Sequence, residues 1–142
     1  IEWSSSNSYI ASVSSTGNVK TYSAGKVVIT AKACDGSNKK ATFTIIVKPK
    51  RMGTVSGYRY GRSTGHLYWS TQRGVSGYQI QYSTNSAFKN NKSKRIASTK
   101  SSVNITGMTS RYYYVRIRAY YKYKGKTYYG KWSAKKRIIL RR

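Results

Sequence analysis

Few side chains in this sequence can perform acid–base, nucleophilic or metal chemistry. Glu2 and Asp35 are the only acids among 142 residues, Cys34 is the only cysteine and His66 the only histidine. A catalytic triad, a carboxylate pair or a metal cluster needs several such groups brought together. A single cysteine also excludes an internal disulfide framework. The sequence therefore predicts a protein without catalytic activity, metal or cofactor.

The chemistry that the sequence does offer is cationic and aromatic. Residues 111–133 contain eight tyrosines, one tryptophan and seven lysines or arginines, with no acid among them. The net charge of the chain is +26, and 21 of its 28 basic residues lie from Arg51 onward, where no acid occurs. Ordinary soluble surfaces mix both signs, whereas a field of one sign concentrates oppositely charged partners. We expect this half of the chain to attach to a polyanion.

The elements that must position these residues are strands. Apolar and polar residues alternate in several short runs, and no spacing typical of a helix is sustained. The apolar members of these runs are Val27, Ile29, Ala31 and Ala33; Phe43, Ile45 and Val47; Tyr78, Ile80 and Tyr82; and Tyr113, Val115, Ile117 and Ala119. Glycine- and asparagine-containing turns separate the runs. The pattern predicts an all-β protein with antiparallel sheets that have one wet side.

The only proline divides the chain into two parts. Pro49 lies in a basic segment, Lys48 to Arg51, where the strand pattern breaks and the acids end. Proline is unfavourable inside a strand and stiffens a linker. We therefore predict one domain over residues 1–48, a linker over 49–51 and a second domain over 52–142.

The first part resembles the second half of a group 2 bacterial immunoglobulin-like domain. The matching segments are Trp3-Ser4-Ser5-Ser6-Asn7, Ile10-Ala11-Ser12-Val13, Gly17-Asn18-Val19, Val28-Ile29-Thr30-Ala31 and Phe43-Thr44-Ile45-Ile46-Val47. The opening strands of the family have no counterpart here. The resemblance thus implies a sandwich that is incomplete at its N-terminus, and we expect upstream residues or another chain to complete its sheet.

The second part resembles a fibronectin type III domain. The segments that carry the resemblance are Leu67-Tyr68-Trp69, Val75 to Ser83, Val103-Asn104-Ile105, Tyr113 to Tyr120 and Gly130-Lys131-Trp132-Ser133. The resemblance implies that Trp69 lies in the core and that Tyr113 is a corner tyrosine whose hydroxyl bonds back to the upstream chain. It also places Trp132 on the last strand, where its ring is expected to stack between the outward Arg116 and Arg118. Together, the two resemblances imply two tandem sandwiches of a secreted or surface protein of a Gram-positive bacterium.

The predicted polyanion site lies on the last hairpin and in the tail. Its members are Arg116, Arg118, Lys122, Lys124, Lys126, Lys131, Arg141 and Arg142. The partners that we expect are anionic polymers of the cell envelope or acidic glycans, and the expected role is adhesion or spacing.

Two other functions stay open on the sequence. The modules are compatible with a targeting appendage of a wall hydrolase or glycosidase. Non-specific nucleic-acid binding is expected from charge alone, because counterion release needs only a row of cations, although no zinc spacing, RNA-binding motif or basic recognition helix is present. A third feature is the cluster of tyrosines from 120 to 129. Its Tyr-Tyr-Gly-Lys-Trp run is similar to the aromatic wall-binding repeats of Gram-positive proteins, but such modules need several copies.

Overall fold

A computed structural model describes residues 1–141, and these form thirteen strands and no helix. The all-β prediction is confirmed. The strands are β1 (Glu2–Ser5), β2 (Ala11–Val13), β3 (Val19–Thr21), β4 (Gly25–Lys32), β5 (Lys40–Val47), β6 (Ser56–Arg59), β7 (Thr64–Tyr68), β8 (Gly77–Ser83), β9 (Lys92–Ala97), β10 (Ser102–Thr106), β11 (Tyr112–Tyr123), β12 (Lys126–Tyr129) and β13 (Lys136–Ile139). Strands β1 to β5 pair among themselves, as do β6 to β13. We refer to these two sets as the N-terminal unit and the C-terminal unit.

The N-terminal unit packs a sheet of order β1-β4-β5 against the β2–β3 hairpin. Its fully buried core is small and consists of Ala11, Val27 and Ile29, with Trp3 and Ile45 among the half-buried side chains around them. The alternation in β4 therefore predicted its buried face correctly at Val27 and Ile29, whereas Ala31 is only half-buried and Ala33 lies just beyond the end of the strand.

The buried face predicted for β5 is wrong at Phe43. Its side chain is 51% exposed, although Ile45 on the same side of the strand packs against the core. In the described part of the chain, β5 lies at the edge of its sheet and pairs only with β4. The outer end of an edge strand has no neighbour to cover it. The strand completion expected for this unit stays a prediction.

The C-terminal unit is a sandwich of two sheets. One has the order β10-β7-β6, and the other has the order β12-β11-β8-β9, with β13 paired to β11. The inward side chains of β8 and β11 alternate as predicted, and Tyr78, Ile80, Val115, Ile117 and Ala119 are fully buried. One continuous apolar cluster fills the space between the sheets.

A two-residue turn joins β11 to β12. Lys124 and Gly125 both have positive φ angles, of 49° and 76°, and Tyr123 pairs with Lys126 across the turn. Positive φ at both central residues is typical of the hairpin turn whose twist matches that of the strands. The tight turn projects its lysines at the end of the hairpin.

The position predicted for Trp132 on a last strand is wrong in detail. Residues 130–135 belong to no strand, and the strand that follows begins at Lys136. The segment nevertheless runs along β11: the Ser133 amide donates to the Ile117 carbonyl, and the Ile117 amide donates to Ser133 Oγ. Because a side-chain hydroxyl replaces a main-chain acceptor, the segment follows β11 without forming a regular ladder.

Trp69 and Tyr113 anchor the two sheets. Trp69 is 6% exposed, and its ring packs edge-on against Tyr78 at 5.8 Å between centroids. The Tyr113 hydroxyl accepts a hydrogen bond of 3.1 Å from the Ser110 amide, three residues upstream. Burial raises the pKa of Tyr113, but the hydrogen bonds from Ser110 and Thr109 outweigh it, so the pKa lies below its ordinary value. The ring and the hydroxyl thus have separate structural roles.

Replacing Tyr113 with phenylalanine tests the role of the hydroxyl. Tyr113→Phe keeps the ring in the core and leaves the Ser110 amide without its acceptor. We expect the C-terminal unit to lose about 1 kcal/mol of unfolding free energy in urea titrations. Tyr82→Phe is the matched control, because Tyr82 packs edge-on against Tyr113 at 6.0 Å and forms no hydrogen bond to Ser110. Equal stability of Tyr113→Phe and the wild type would contradict the assignment.

Direct contacts hold both the linker and the N-terminal unit against the C-terminal unit. The Lys50 amide donates to Gln72 Oε1 at 2.8 Å, and Gln72 Nε2 donates back to the Lys50 carbonyl at 2.9 Å. Ala24 of the N-terminal unit is 2% exposed and belongs to the apolar cluster of the C-terminal unit. Gly74 lies so close to Ala24 that a Cβ at this position would overlap the Ala24 carbonyl oxygen. The junction is therefore packed and hydrogen-bonded.

Substitution of Gly74 tests this junction. Gly74 has a φ of 83°, which L-residues rarely adopt, and the backbone of Ala24 cannot move aside as a flexible side chain would. We expect Gly74→Ala to cost more than about 1 kcal/mol in thermal unfolding of the full chain and to speed trypsin cleavage at Lys50 and Arg51. Gly107→Ala is the control, because Gly107 has a similar φ of 78° and open space around it. Equal cleavage rates for the two variants would show that the junction does not depend on this contact.

Candidate anion-binding surface

Strand β11 carries most of the predicted site. Its inward side chains are buried, while Arg116 and Arg118 on the outward side are half-buried, and Lys122 near its end is exposed. Neighbouring strands β8 and β12 hold it in the middle of the sheet. The outward cations of one strand therefore sit in different environments.

Arg116 and Arg118 form part of a stack of alternating rings and guanidinium groups. The Arg116 guanidinium carbon lies 4.2 Å from the centroid of Phe88 and 4.5 Å from that of Trp132. The Arg118 guanidinium carbon lies 4.3 Å from Trp132 and 3.7 Å from Tyr129. Trp132 thus lies between the two arginines, as expected from the sequence. We call the set Phe88, Arg116, Trp132, Arg118 and Tyr129 the arginine ladder.

Amide and hydroxyl oxygens complete the arginine ladder. Arg116 Nε donates to Gln81 Oε1 at 2.6 Å, and Arg118 Nε donates to Gln79 Oε1 at 2.9 Å. Arg95 extends the row, because its Nη2 donates to the Tyr129 hydroxyl at 2.6 Å and its guanidinium lies 5.0 Å from the Tyr120 ring. Within residues 1–141, no carboxylate takes part. The guanidinium groups are thus held by neutral partners that leave their charge uncompensated.

Partial burial of the arginine ladder affects the pKa values of its two arginines. Desolvation lowers the pKa of Arg116 and the pKa of Arg118. Tyr129 raises the pKa of Arg118, whereas the positive charges of Arg116 and Arg95 lower it. Arginine starts so far above neutrality that both groups stay charged at physiological pH. The arginine ladder is therefore a permanently cationic, partly desolvated structure.

Three exposed lysines surround the β11–β12 turn. Lys122, Lys124 and Lys126 are all exposed. The Lys124 ammonium lies 5.5 Å from the Tyr123 ring, and the Lys126 ammonium lies 5.1 Å from the Tyr128 ring. These contacts with neutral rings leave the lysines accessible.

A fourth cation joins this group from the other unit. Lys26 in β4 is exposed, and its ammonium also lies 5.5 Å from the Tyr123 ring. We call Lys26, Lys122, Lys124 and Lys126 the tip cluster. Sequence reasoning missed Lys26, because it lies almost a hundred residues before the hairpin and only the packing of the two units brings it there.

The remaining predicted site residues are separate from the tip cluster. Lys131 is exposed next to the arginine ladder. Arg141 is half-buried; its Nη1 donates to the carbonyls of Met108 and Ser110, each at 2.9 Å, and its Nη2 donates to the Arg62 carbonyl. These bonds hold the end of the described chain against two loops. Arg142 lies outside the described residues.

A cationic cleft that the sequence did not indicate lies beside β13. It has a volume of about 530 Å³ and is lined by Arg111, Tyr112, Arg137 and Ile139. The Arg137 guanidinium lies 5.6 Å from the Tyr112 ring. The antiparallel pairing of β11 with β13 sets Tyr112 opposite Ile139 and thus joins segments that are more than twenty residues apart. A register of this kind leaves no signal in either segment alone.

The few groups capable of other chemistry are scattered. Within residues 1–141, no three of the His, Cys, Asp and Glu side chains come together as a metal site would require. Cys34 is exposed, and His66 contacts Asn104 and tyrosine rings instead. The described part of the chain also contains no helix long and apolar enough to span a membrane.

Comparison with known proteins covers both units. Residues 1–45 match the family of bacterial Ig-like domains of group 2, whose members are typical of extracellular and surface proteins. No curated protein sequence matches the chain.

Solved structures share the fold at low sequence identity. A segment of two fibronectin type III domains from chicken tenascin superposes with a TM-score of 0.60 at 13% identity, over 92% of this chain and 81% of that one. The FN1–FN3 domains of chicken CNTN1 give 0.57 at 18% identity over 88% of this chain, which spans only 47% of theirs. An Fn3-like protein from Clostridium thermocellum gives 0.50 at 20% identity, over 64% of this chain and 93% of that one. The matches support an Ig-like unit followed by a fibronectin-like sandwich.

Removing the central ring tests the arginine ladder. Trp132→Ala deletes two cation–π contacts, each worth about 0.5–2 kcal/mol according to how far it is desolvated. We therefore expect the free energy of unfolding in urea to fall by about 1–4 kcal/mol. Trp132→Phe keeps an aromatic face, so its free energy of unfolding is expected to fall less. Lys131→Ala, at the exposed neighbouring residue, is expected to leave the free energy of unfolding unchanged. A loss for Trp132→Ala within about 0.5 kcal/mol, as for ordinary surface substitutions, would contradict the stacking energy.

Proposed function

We propose that the chain is a non-catalytic attachment module of a secreted or surface protein of a Gram-positive bacterium, and that the tip cluster binds anionic polymers of the cell envelope. The observation that carries this proposal is the arrangement of Lys26, Lys122, Lys124 and Lys126 around one hairpin, exposed and supported by rings. Since no acid follows Asp35 in the sequence, the C-terminal unit has no carboxylate to neutralise them.

Rings are suitable supports for a binding cation. A carboxylate partner would orient a lysine but cancel its field, whereas the face of a tyrosine attracts the ammonium without carrying a charge. The ammonium groups of Lys26 and Lys124, which both lie at the Tyr123 ring, also repel each other, and a bound polyanion would relieve that repulsion. The lysines of the tip cluster are thus held in place by rings, while their positive charges are not neutralised.

The division between lysine and arginine favours the tip cluster over the arginine ladder as the binding site. The planar guanidinium groups of Arg116 and Arg118 are covered by rings on the ladder. The tip carries compact ammonium groups on flexible stems, which adapt to phosphates at varying positions along a polymer. Teichoic acid, a flexible phosphate polymer of Gram-positive walls, fits this chemistry. The appendage of a wall hydrolase stays an alternative context for the same binding.

Charge reversal at the tip tests the proposal. The variant Lys122→Glu/Lys124→Glu/Lys126→Glu is compared with Lys89→Glu/Lys92→Glu/Lys94→Glu, which changes the net charge equally at exposed positions near the other edge of the sheet. Both are sedimented with Gram-positive walls, native and stripped of teichoic acid, over a series of salt concentrations. We expect the tip variant to lose most of its binding to native walls and the control to lose less.

The salt dependence separates a local site from the general field. Each contact between a cation and a flexible polyanion contributes roughly 0.7 to the slope of log affinity against log salt, so the tip variant is expected to lower that slope by about 2. Duplex DNA is expected to respond only to the overall positive field of the protein. Both variants should therefore lose the same amount of affinity for duplex DNA. Equal loss of wall binding in the two variants, or undiminished binding to stripped walls, would refute the proposal.

A further inference from the structure

The outer face of the β10-β7-β6 sheet differs from the rest of this cationic protein. Its cross-strand rows are set by the register, which places Tyr58 and Asn104 on either side of His66, and Ser102 beside Tyr68. Only serine, threonine, asparagine, histidine and tyrosine occupy the outward positions of these strands. None carries a lysine, an arginine or an aliphatic side chain. We call this surface the neutral face.

The aromatic rings of the neutral face form one continuous exposed patch. Tyr58 is 50% exposed and Tyr68 45%, and Tyr60, just after β6, is 60% exposed. The ring of His66 lies 5.0 Å from Tyr58, 6.0 Å from Tyr60 and 6.1 Å from Tyr68. Exposed aromatic area of this kind marks an interaction site more often than a scattered apolar residue does. The rings therefore present a platform several side chains long.

The polar groups beside the rings are oriented by one hydrogen bond and keep further hydrogen-bonding capacity. His66 Nδ1 and Asn104 Oδ1 are 2.6 Å apart, and because an amide oxygen only accepts, Nδ1 donates. In the tautomer with its proton on Nδ1, Nε2 is an acceptor, and the Asn104 amide offers its N–H groups as donors. Acceptors and donors thus stand next to an aromatic surface.

These properties select one class of ligand. A phosphate polymer would require cations, which the outward strand positions of the face lack; the nearest in sequence are Arg59 and Arg62, on either side of Tyr60. A lipid surface would require a broad apolar face. A tightly packed protein interface would place its rings in an apolar core, whereas here the register sets serines beside Tyr68 and His66 beside Tyr58. A pyranose ring has an apolar C–H face that packs on an aromatic ring, and hydroxyls that need donors and acceptors around its rim. An uncharged sugar chain therefore matches both the aromatic rings and the polar groups of this surface.

We propose that the neutral face binds an uncharged polysaccharide chain, with Tyr58, Tyr60 and Tyr68 under successive sugar rings and His66 and Asn104 bonded to hydroxyls. This site lies on the sheet opposite the arginine ladder and does not depend on the tip cluster. The C-terminal unit then has two independent binding surfaces, one for neutral sugar and one for anionic polymer.

The test uses the full chain in 0.5 M NaCl, which suppresses binding to the basic surface. Chitohexaose, cellohexaose and xylohexaose are titrated in turn, and amide chemical shifts are followed by NMR. We expect at least one of them to shift resonances of β6, β7 and β10. Tyr58→Ala/Tyr68→Ala should weaken that affinity at least about tenfold, and Asn104→Ala should weaken it on a fully folded background. The affinity should not change between 0.1 and 1 M NaCl, because the ligand carries no charge.

The matched control removes two exposed rings elsewhere. Tyr9→Ala/Tyr22→Ala changes the N-terminal unit, where these rings are 80% and 44% exposed, and should leave the affinity unchanged. Three outcomes would overturn the proposal. These are no shift on the neutral face with any of the three sugars, equal affinity of the Tyr58/Tyr68 double variant and the wild type, or a different occupant. A different occupant would appear as binding to phosphatidylcholine vesicles, or as a dimer in sedimentation velocity, that the double variant abolishes.

Discussion

Every partly buried cation of the C-terminal unit must find a partner that is not a carboxylate. The sequence supplies no acid after Asp35, so ion pairing within this unit is excluded by composition. Partial burial of an unpartnered charge is costly. The structure meets this constraint with π faces, amide oxygens and main-chain carbonyls: Arg116 and Arg118 use rings and glutamines, and Arg141 uses three carbonyl oxygens. The abundance of tyrosine and tryptophan on the outer side of β11 and its neighbours follows from the same need.

Neutral partners have a consequence for function. A carboxylate would fix each cation and remove its field, whereas rings and amides fix the side chain and leave the charge. The unit can therefore be ordered and strongly cationic at once. Arginine, with its flat and weakly hydrated group, fills the stacked positions, and lysine occupies the exposed turn. Because arginine occupies the stacked positions and lysine the exposed turn, the side chains that stabilise the fold differ from those whose charge is most accessible to an anion.

The sequence predicted local features well and tertiary ones poorly. Period-two alternation identified the buried side of β11 and β8, since both strands lie between neighbours and their inward residues face the core, with Tyr82 half-buried at the end of β8. The same rule was wrong at Phe43, because an edge strand lacks the covering layer that the rule assumes. Trp132 was placed between its arginines correctly, although the segment carrying it is not a strand. Phe88 belongs to the arginine ladder and Lys26 to the tip cluster. Both come from segments far from β11 in the sequence, so no local sequence pattern could predict their positions.

The junction between the units also brings together the charges of the tip cluster. Lys26 lies at the ring of Tyr123 in a structure where Ala24 packs into the neighbouring core and Gln72 bonds twice to Lys50. A hinge at Pro49 would separate Lys26 from the hairpin and lower the local density of charge. Since attraction between charges falls with distance and is screened by salt, Lys26 adds to the field of the tip cluster only while it stays beside the hairpin. The contacts that hold the units together thus also set the local density of positive charge at this surface.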